Sequence, residues 1–366
     1  MVYLLYKYVI KTMIKFPTKK NRNSNLELYR IIIMLLIVAH HSVVHSELFY
    51  VLGQEPLSGK SLFYYWFGMW GKTGINCFVL ITGYFMCKSK ITLQKFIKLL
   101  IEIDFYKLVI YLFFIFLGGK TLSLKELINV LLPTKISTEF SSCFLFFYLF
   151  IPFLNVLITN INKSMHLKLL LLSLTVYTLY GTLPTFYVRM NYISWFCVIY
   201  IFASYIRLYG FNKISHKGWA FLTLISILIS MLSVVTSMYL SKTYGYSLKP
   251  YRWVQDSNTI LAVLVAVCSF MYFKDIQIKY NAFINIIGSC TFGVLLIHDN
   301  LHVRHWLWND VLKNVEMYYT DTYIIYSFLS VISVFLICVI IDYIRQLLVE
   351  KRLMQYVNRL WQKYTN

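Results

Sequence analysis

Acidic side chains are scarce in this chain, 15 Asp and Glu against 35 Lys and Arg, and charged residues of both signs make up only 14% of it. Set against an apolar share of 59% in 366 residues, that shortage excludes an ordinary soluble domain, whose core has no use for so much apolar surface. The expected solvent is a lipid bilayer. Chemical motifs are missing too. There is no Walker-type glycine loop, no Gly-x-Ser-x-Gly elbow and no His-Glu-x-x-His zinc helix, so those chemistries have no support. The seven cysteines (Cys77, Cys87, Cys143, Cys197, Cys268, Cys290 and Cys338) sit within or at the edges of apolar segments, with no CxxC pair and no ladder of metal-ligand spacings. They read as buried small hydrophobes, and no metal is expected. Internal repeats and low-complexity linkers are also absent.

A net charge of +20 would suggest a nucleic-acid partner in a soluble protein, but here the basic residues lie between apolar runs rather than in one patch. Topology explains them, and no nucleic acid is implied. Apolar stretches long enough to cross about 30 Å fall near 26–46, 68–87, 96–118, 140–160, 167–187, 192–209, 218–240, 257–274, 286–301 and 323–345, giving an all-α polytopic protein of about ten transmembrane helices. The ninth is short, with uncertain ends, so nine or eleven spans are alternatives. Lys7, Lys11, Lys15, Lys19, Lys20 and Arg22, then Lys88, Lys90, Lys95 and Lys98, then Arg345, Lys351, Arg352, Arg359 and Lys363 would all be inside, which puts both termini in the cytoplasm. The expected division is a basic segment 1–24, a membrane domain 25–347 and a basic tail 348–366. The first segment lacks the apolar core and cleavage site of a signal peptide, and Lys7, Lys11 and Lys15 would share one face of an interfacial helix or belong to a frayed tail. The longer connections, 47–67, 119–139, 241–256 and 302–322, lie outside. Their aromatics, including Tyr64, Tyr65, Trp66, Tyr251, Trp253, Trp306 and Trp308, suit an interfacial belt or, less economically, sugar stacking.

The costliest residues are in the first span, NLELYRIIIMLLIVAHHSVVHS over 25–46. Arg30 and His41 are eleven positions apart, which returns to within about 20° of the same helix face, roughly 16.5 Å further along. Ionisable side chains at such depth default to a functional reading, against snorkelling of the arginine and simple hydrogen bonding of the histidine. His40 points away from that face, and His45 lies one turn beyond His41, a candidate second-shell or entrance residue. Glu27 is placed for an i,i+3 pair with Arg30. Gly68, Gly71, Gly74 and Gly83 in the second span permit close helix packing, or room for a ligand at Gly74 and Gly83. Lys95 and Lys98 open the third span as a phosphate site or as ordinary inner-edge cations. Deeper on it, Lys98–Glu102 and Asp104–Lys107 are the expected pairs. The run 289–300 ends in His298-Asp299-Asn300 and is followed by His302, Arg304 and His305, so His298 is either a satisfied helix-end histidine or an assisted base beside Asp299.

These residues together resemble the acyltransferase family 3 membrane proteins, which O-acylate bacterial surface carbohydrates. Arg30 and His41 reproduce that family's Arg-x10-His signature. Phe78 to Gly83 is similar to its Phe-x-x-x-Ser-Gly segment with Thr82 for Ser, and Lys95 and Lys98 stand where it has paired arginines, keeping charge and losing the bidentate fork. Leu296-Ile297-His298 is similar to its late Tyr-Leu-x-His, and 291–304 looks like the capsule and exopolysaccharide branch. The resemblance implies a bacterial plasma-membrane enzyme that moves an acyl group, usually acetyl, from cytoplasmic acetyl-coenzyme A to a hydroxyl of a glycan or lipid-linked precursor. It implies His41 as catalytic base or acyl carrier, Arg30 with Lys95 and Lys98 as the donor-phosphate site, and His298 as second base. Asp299, Arg304 and Trp306 are the expected substrate contacts. With no extracytoplasmic SGNH-type domain after the tenth span, the chain is expected to finish the transfer alone or with other polysaccharide-assembly membrane proteins. A transporter, flippase or polymerase for a polyprenyl-linked glycan is the competing class.

Overall fold

The structure, a computed structural model, describes residues 22–118, 123–132, 139–183, 186, 188, 190–211, 213–246 and 248–365. Lys7, Lys11, Lys15, Lys19 and Lys20 lie outside the described residues. Within them the chain is all-helical, with no strand. Each of the ten apolar segments holds a helix: α1 Ser24–Val44, α2 Gly71–Met86, α3 Leu93–Phe116, α4 Phe140–Asn160, α5 Lys163–Leu174, α6 Tyr192–Tyr209, α7 His216–Tyr244, α8 Ile260–Asp275, α9 Ala282–His298 and α10 Tyr323–Arg345. Side chains that compete with the backbone mark several starts. Thr92, Asn162, Asn191, Ser215 and Asn281 each accept a backbone N–H of the first turn. Gly210 and Gly245 end α6 and α7 at φ 67° and 70°, where other residues would be strained.

Five of these helices are long and apolar enough to cross a membrane alone, or six if α9 and the segment Leu301–Val311, bent from it by 77°, form one span. The others fall short for visible reasons. α2 and α8 have 16 residues each, α5 has 12 before it passes into a π-helical turn, and α3 carries Lys95, Lys98, Glu102, Asp104 and Lys107.

Polar contacts gather the helix ends into two sets. At one end the start of α1 meets the end of α8 and the start of α9, where Asn25 donates to the Phe273 and Lys274 carbonyls at 3.0 Å and Ser24 to Asn285 at 3.1 Å. The ends of α2, α4 and α6 join there through Asn155 to the Met86 carbonyl and Arg207 to the Tyr84 hydroxyl. Lys98 at the start of α3 pairs with Glu350 beyond α10. The helices thus alternate in direction, and α1 packs against α2, α8, α9 and α10.

Glycine supplies the close approaches. A Cβ on Gly74 would lie 2.7 Å from Ile37, and one on Gly83 2.7 Å from Ala203, so both positions are filled by protein rather than left for a ligand. Six of the cysteines are buried and Cys197 is half-buried, all as free thiols. The aromatics of the longer connections divide: Tyr64, Tyr65, Tyr251 and Trp308 are buried in the protein rather than displayed as a lipid-facing belt.

The ion pairs inside the bundle are long-range instead of the local ones expected on α3. Glu102 binds Arg345 at 2.8 Å, Lys107 binds Glu139 at 3.1 Å, and Lys98 goes to Glu350. Arg345, only 3% exposed, also holds Asp342 at 2.8 Å and Glu350 at 3.0 Å. A local pair would leave Glu102 beside a solvent-facing lysine; the buried guanidinium is the better partner because it forks to several carboxylates at once. Asp342 fits only because residue 293 is glycine, since a Cβ there would lie 2.2 Å from its carboxyl. Gly293→Ala should therefore destabilise the protein by about 1–3 kcal/mol through overpacking. Its melting temperature in detergent reports this, and an unchanged value would contradict the packing.

Candidate active site

The C-terminal third of α1 carries His40 and His41, with His45 capping its end, and α9 ends beside it in His298, capped by Asp299. α9 stops there because Asn300 turns the chain and caps the next short helix, Leu301–His305, by accepting from the His302 N–H. The bend brings Arg304 back onto Asp299, with its Nε 2.8 Å from both the backbone oxygen and Oδ1. Trp306, two residues on, faces away by about 200°. It packs edge-on against Phe114 of α3, with ring centres 5.7 Å apart.

His41 Nδ1 lies 2.9 Å from His298 Nε2, and His298 Nδ1 lies 2.6 Å from the Val294 carbonyl. A carbonyl only accepts, so the His298 proton is on Nδ1, and its Nε2, in the neutral ring, is an acceptor. The bridging proton therefore belongs to His41 Nδ1. Asp299 Oδ1, 3.6 Å from that same nitrogen, favours the same tautomer. His41 Nε2 then carries a free lone pair, and it has no hydrogen-bond partner among the described residues. His298 is fully buried, and its contacts to His41 and Val294 fix the orientation of the His41 ring. Asp299 also accepts from His45 Nε2 at 3.2 Å, which joins the entrance histidine to the cluster. His40 is held differently: its Nδ1 donates to the Gly68 carbonyl and its ring fills the space left by Gly71, where a Cβ would come within 2.2 Å of it.

His41 opens on a cavity of about 450 Å³. Its walls include Ile37, His45 and Asp299, with Lys72 of α2, Phe140 of α4, Tyr192 of α6 and the 249–255 connection between α7 and α8. Asp299 and Arg304 line it, while Trp306 and His298 do not. Nor do Arg30, Lys95 and Lys98, whose polar contacts lie elsewhere. Arg30 is 24% exposed at its side chain and pairs with Glu27 at 3.5 Å, as the spacing predicts, sharing that carboxylate with Arg22. Lys95 donates to the Lys90 carbonyl at 2.7 Å, and Lys98 is taken up by Glu350.

Sequence reasoning missed Lys72, Tyr192 and Lys249 in this cavity. A signal for the lysines existed, since Lys72 opens the second apolar segment and Lys249 lies in one of the connections expected to be outside, against the trend that places basic residues inside.

A helical membrane bundle with a histidine base facing a cavity defines a class able to activate a hydroxyl or carry an acyl group. A family model described as an acyltransferase domain matches residues 23–343, and the chain belongs to acyltransferase family 3. No curated protein and no solved structure matches it. The protein is accordingly a membrane acyltransferase, and the transporter, flippase and polymerase readings are not favoured.

The tautomer is directly measurable. In protein labelled with 15N-histidine, the His41 resonances, assigned by their loss in His41→Gln, should show a protonated Nδ1 and a bare Nε2. A proton on Nε2 would contradict the arrangement.

Proposed function

We propose that the protein transfers an acetyl group from cytoplasmic acetyl-coenzyme A to a hydroxyl of a cell-surface polysaccharide or its lipid-linked precursor, in the plasma membrane of a bacterium. The observation that carries this reading is the free Nε2 of His41 at the wall of a cavity, with its other nitrogen committed to His298. The acceptor O–H would donate to that nitrogen while its oxygen attacks the thioester carbonyl. The C–S bond breaks, the proton passes to His41, and coenzyme A leaves as thiolate that recovers the proton. The imidazolium formed on the way is offset by Asp299, 3.6 Å from Nδ1, which Arg304 and His45 hold in place. Transfer through an acyl-His41 intermediate is the less economical form of the same chemistry.

The alternating directions support ten crossings with both termini on one side, because the cavity collects the ends of α1 and α9, the starts of α2, α4 and α6 and the connection after α7; the basic inner segments put that side in the cytoplasm. On this topology the cavity faces outward, and the membrane domain runs over 25–347 between basic cytoplasmic segments 1–24 and 348–366. Arg30 sits at the inner end, about 16.5 Å from His41 along α1. Arg22 and Arg30 share the carboxylate of Glu27, which leaves a net positive site suited to the donor phosphates, with Lys95 as a second cation. Lys98 is the weaker member because Glu350 already neutralises it. Asp299 and Arg304 border the acceptor, and Trp306 lies outside the cavity. Other polysaccharide-assembly proteins of the membrane would supply the acceptor.

Membrane vesicles given labelled acetyl-coenzyme A and acceptor test this. His41→Ala, if it still inserts and folds, should lose about 10²–10⁴-fold in rate. Undiminished transfer would sink the role of His41, and sugar movement without dependence on the thioester would revive the transporter. For the donor end, Arg30→Ala should lose coenzyme A binding, and full affinity would count against that site.

A further inference from the structure

We propose that Lys72 and Lys249 bind an anionic group carried by the acyl acceptor, so that the acceptor is an acidic saccharide whose charge is a carboxylate or a phosphate. This rests on reading the His41 cavity as the acceptor site. Charge accounting carries the argument. The lysine, arginine and acidic residues lining the cavity are Lys72, Lys249, Arg304 and Asp299. Arg304 and Asp299 cancel each other at 2.8 Å. Lys72 donates to the Tyr192 hydroxyl at 2.7 Å and stands 5.4 Å from the centre of that ring, with no carboxylate against it. Lys249 is exposed, and its ammonium has neither ion pair nor hydrogen-bond partner among the described residues. Two positive charges thus border the cavity unmatched.

The other walls sharpen the point. Ile37, Val44, Phe49, Phe78 and Phe140 make much of the lining apolar, so a charge there is poorly screened and an incoming anion is attracted more strongly than in open water. Tyr192 uses one of the three donor positions of Lys72 and fixes the ammonium at the head of α2, leaving two donors for a ligand oxygen. A cavity of about 450 Å³ is within the range of small-ligand sites and holds a sugar unit with its charged substituent. A neutral sugar would fill the same space and leave both lysines without counter-charge.

The test uses the full-length protein in nanodiscs and four probes in equilibrium binding: a disaccharide containing a uronic acid, its neutral glucose counterpart, a sugar phosphate, and coenzyme A. One of the two anionic saccharides should bind about tenfold more tightly than the neutral one, the order a single charge-assisted hydrogen bond supplies. Added salt should shrink that preference. Lys249→Gln and Lys72→Gln should abolish it, Lys249→Arg should keep it, and coenzyme A affinity should not move. Whether carboxylate or phosphate wins identifies the source of the charge. Equal binding of neutral and anionic probes, or a preference that survives both glutamine variants, overturns the proposal. Loss of coenzyme A affinity in those variants, with saccharide binding intact, also overturns it by assigning the lysines to the donor. Acyl transfer is followed in the same preparations. A lysine-dependent preference without transfer would overturn the acetyl-transfer reading alone, and transfer without the preference would overturn the anion site alone.

Discussion

Several of the polar groups that α1 carries into the bundle find their partners on other helices, because an unpaired one in apolar surroundings costs several kcal/mol. The partners fix where the neighbouring helices sit. Asn25 and Tyr29 bind α8 through the Phe273 and Lys274 carbonyls and the Ser269 hydroxyl, and Ser24 and His41 bind α9 through Asn285 and His298. His40 ties the connection before α2 by donating to the Gly68 carbonyl. Sliding α9 by one turn against α1 would break its contacts at both ends, about 25 Å apart at 1.5 Å per residue. The register that satisfies α1 is also the register that sets His298 against His41.

That register has a chemical consequence. A lone histidine at this depth would be free to choose either tautomer and several ring orientations. The chain Val294 carbonyl, His298, His41 leaves one arrangement, with a basic nitrogen toward the cavity and a carboxylate near the opposite side of the ring. The logic is that of a base oriented by a third group, with a buried histidine as the orienting member and Asp299 as the charge partner. The two ends of α1 divide the labour. Arg30 keeps a single shared carboxylate at one end, and at the other His298 and Asp299 face the same nitrogen of His41.

Much of this was legible in the sequence because it followed helical periodicity. The helices in the apolar segments, the common face of Arg30 and His41 and the Glu27–Arg30 pair all derive from 3.6 residues per turn or from apolar run length, whereas His40, set aside because it points off that face, lines the cavity beside His41. What failed to show was long-range. Pairing Lys98 with Glu102 is the natural reading of an i,i+4 spacing, yet Arg345, 243 residues away, takes Glu102. Trp306 is an expected acceptor contact as an aromatic able to stack on a sugar ring, but it lies outside the cavity lining and packs on Phe114. Lys72 and Tyr192 meet only because α2 and α6 start at the same end, a fact of topology that no local pattern encodes. His298 showed as polar and deep, though its role as an orienting group became visible only with Val294 and His41 in place.

The central claim is that His41 supplies a base through its free nitrogen, and chemical rescue tests it most directly. Folded His41→Ala protein, assayed for acetyl transfer with imidazole added, should be nearly inactive alone and regain activity in proportion to the concentration of the neutral base. Transfer at the parent rate without imidazole would contradict the account.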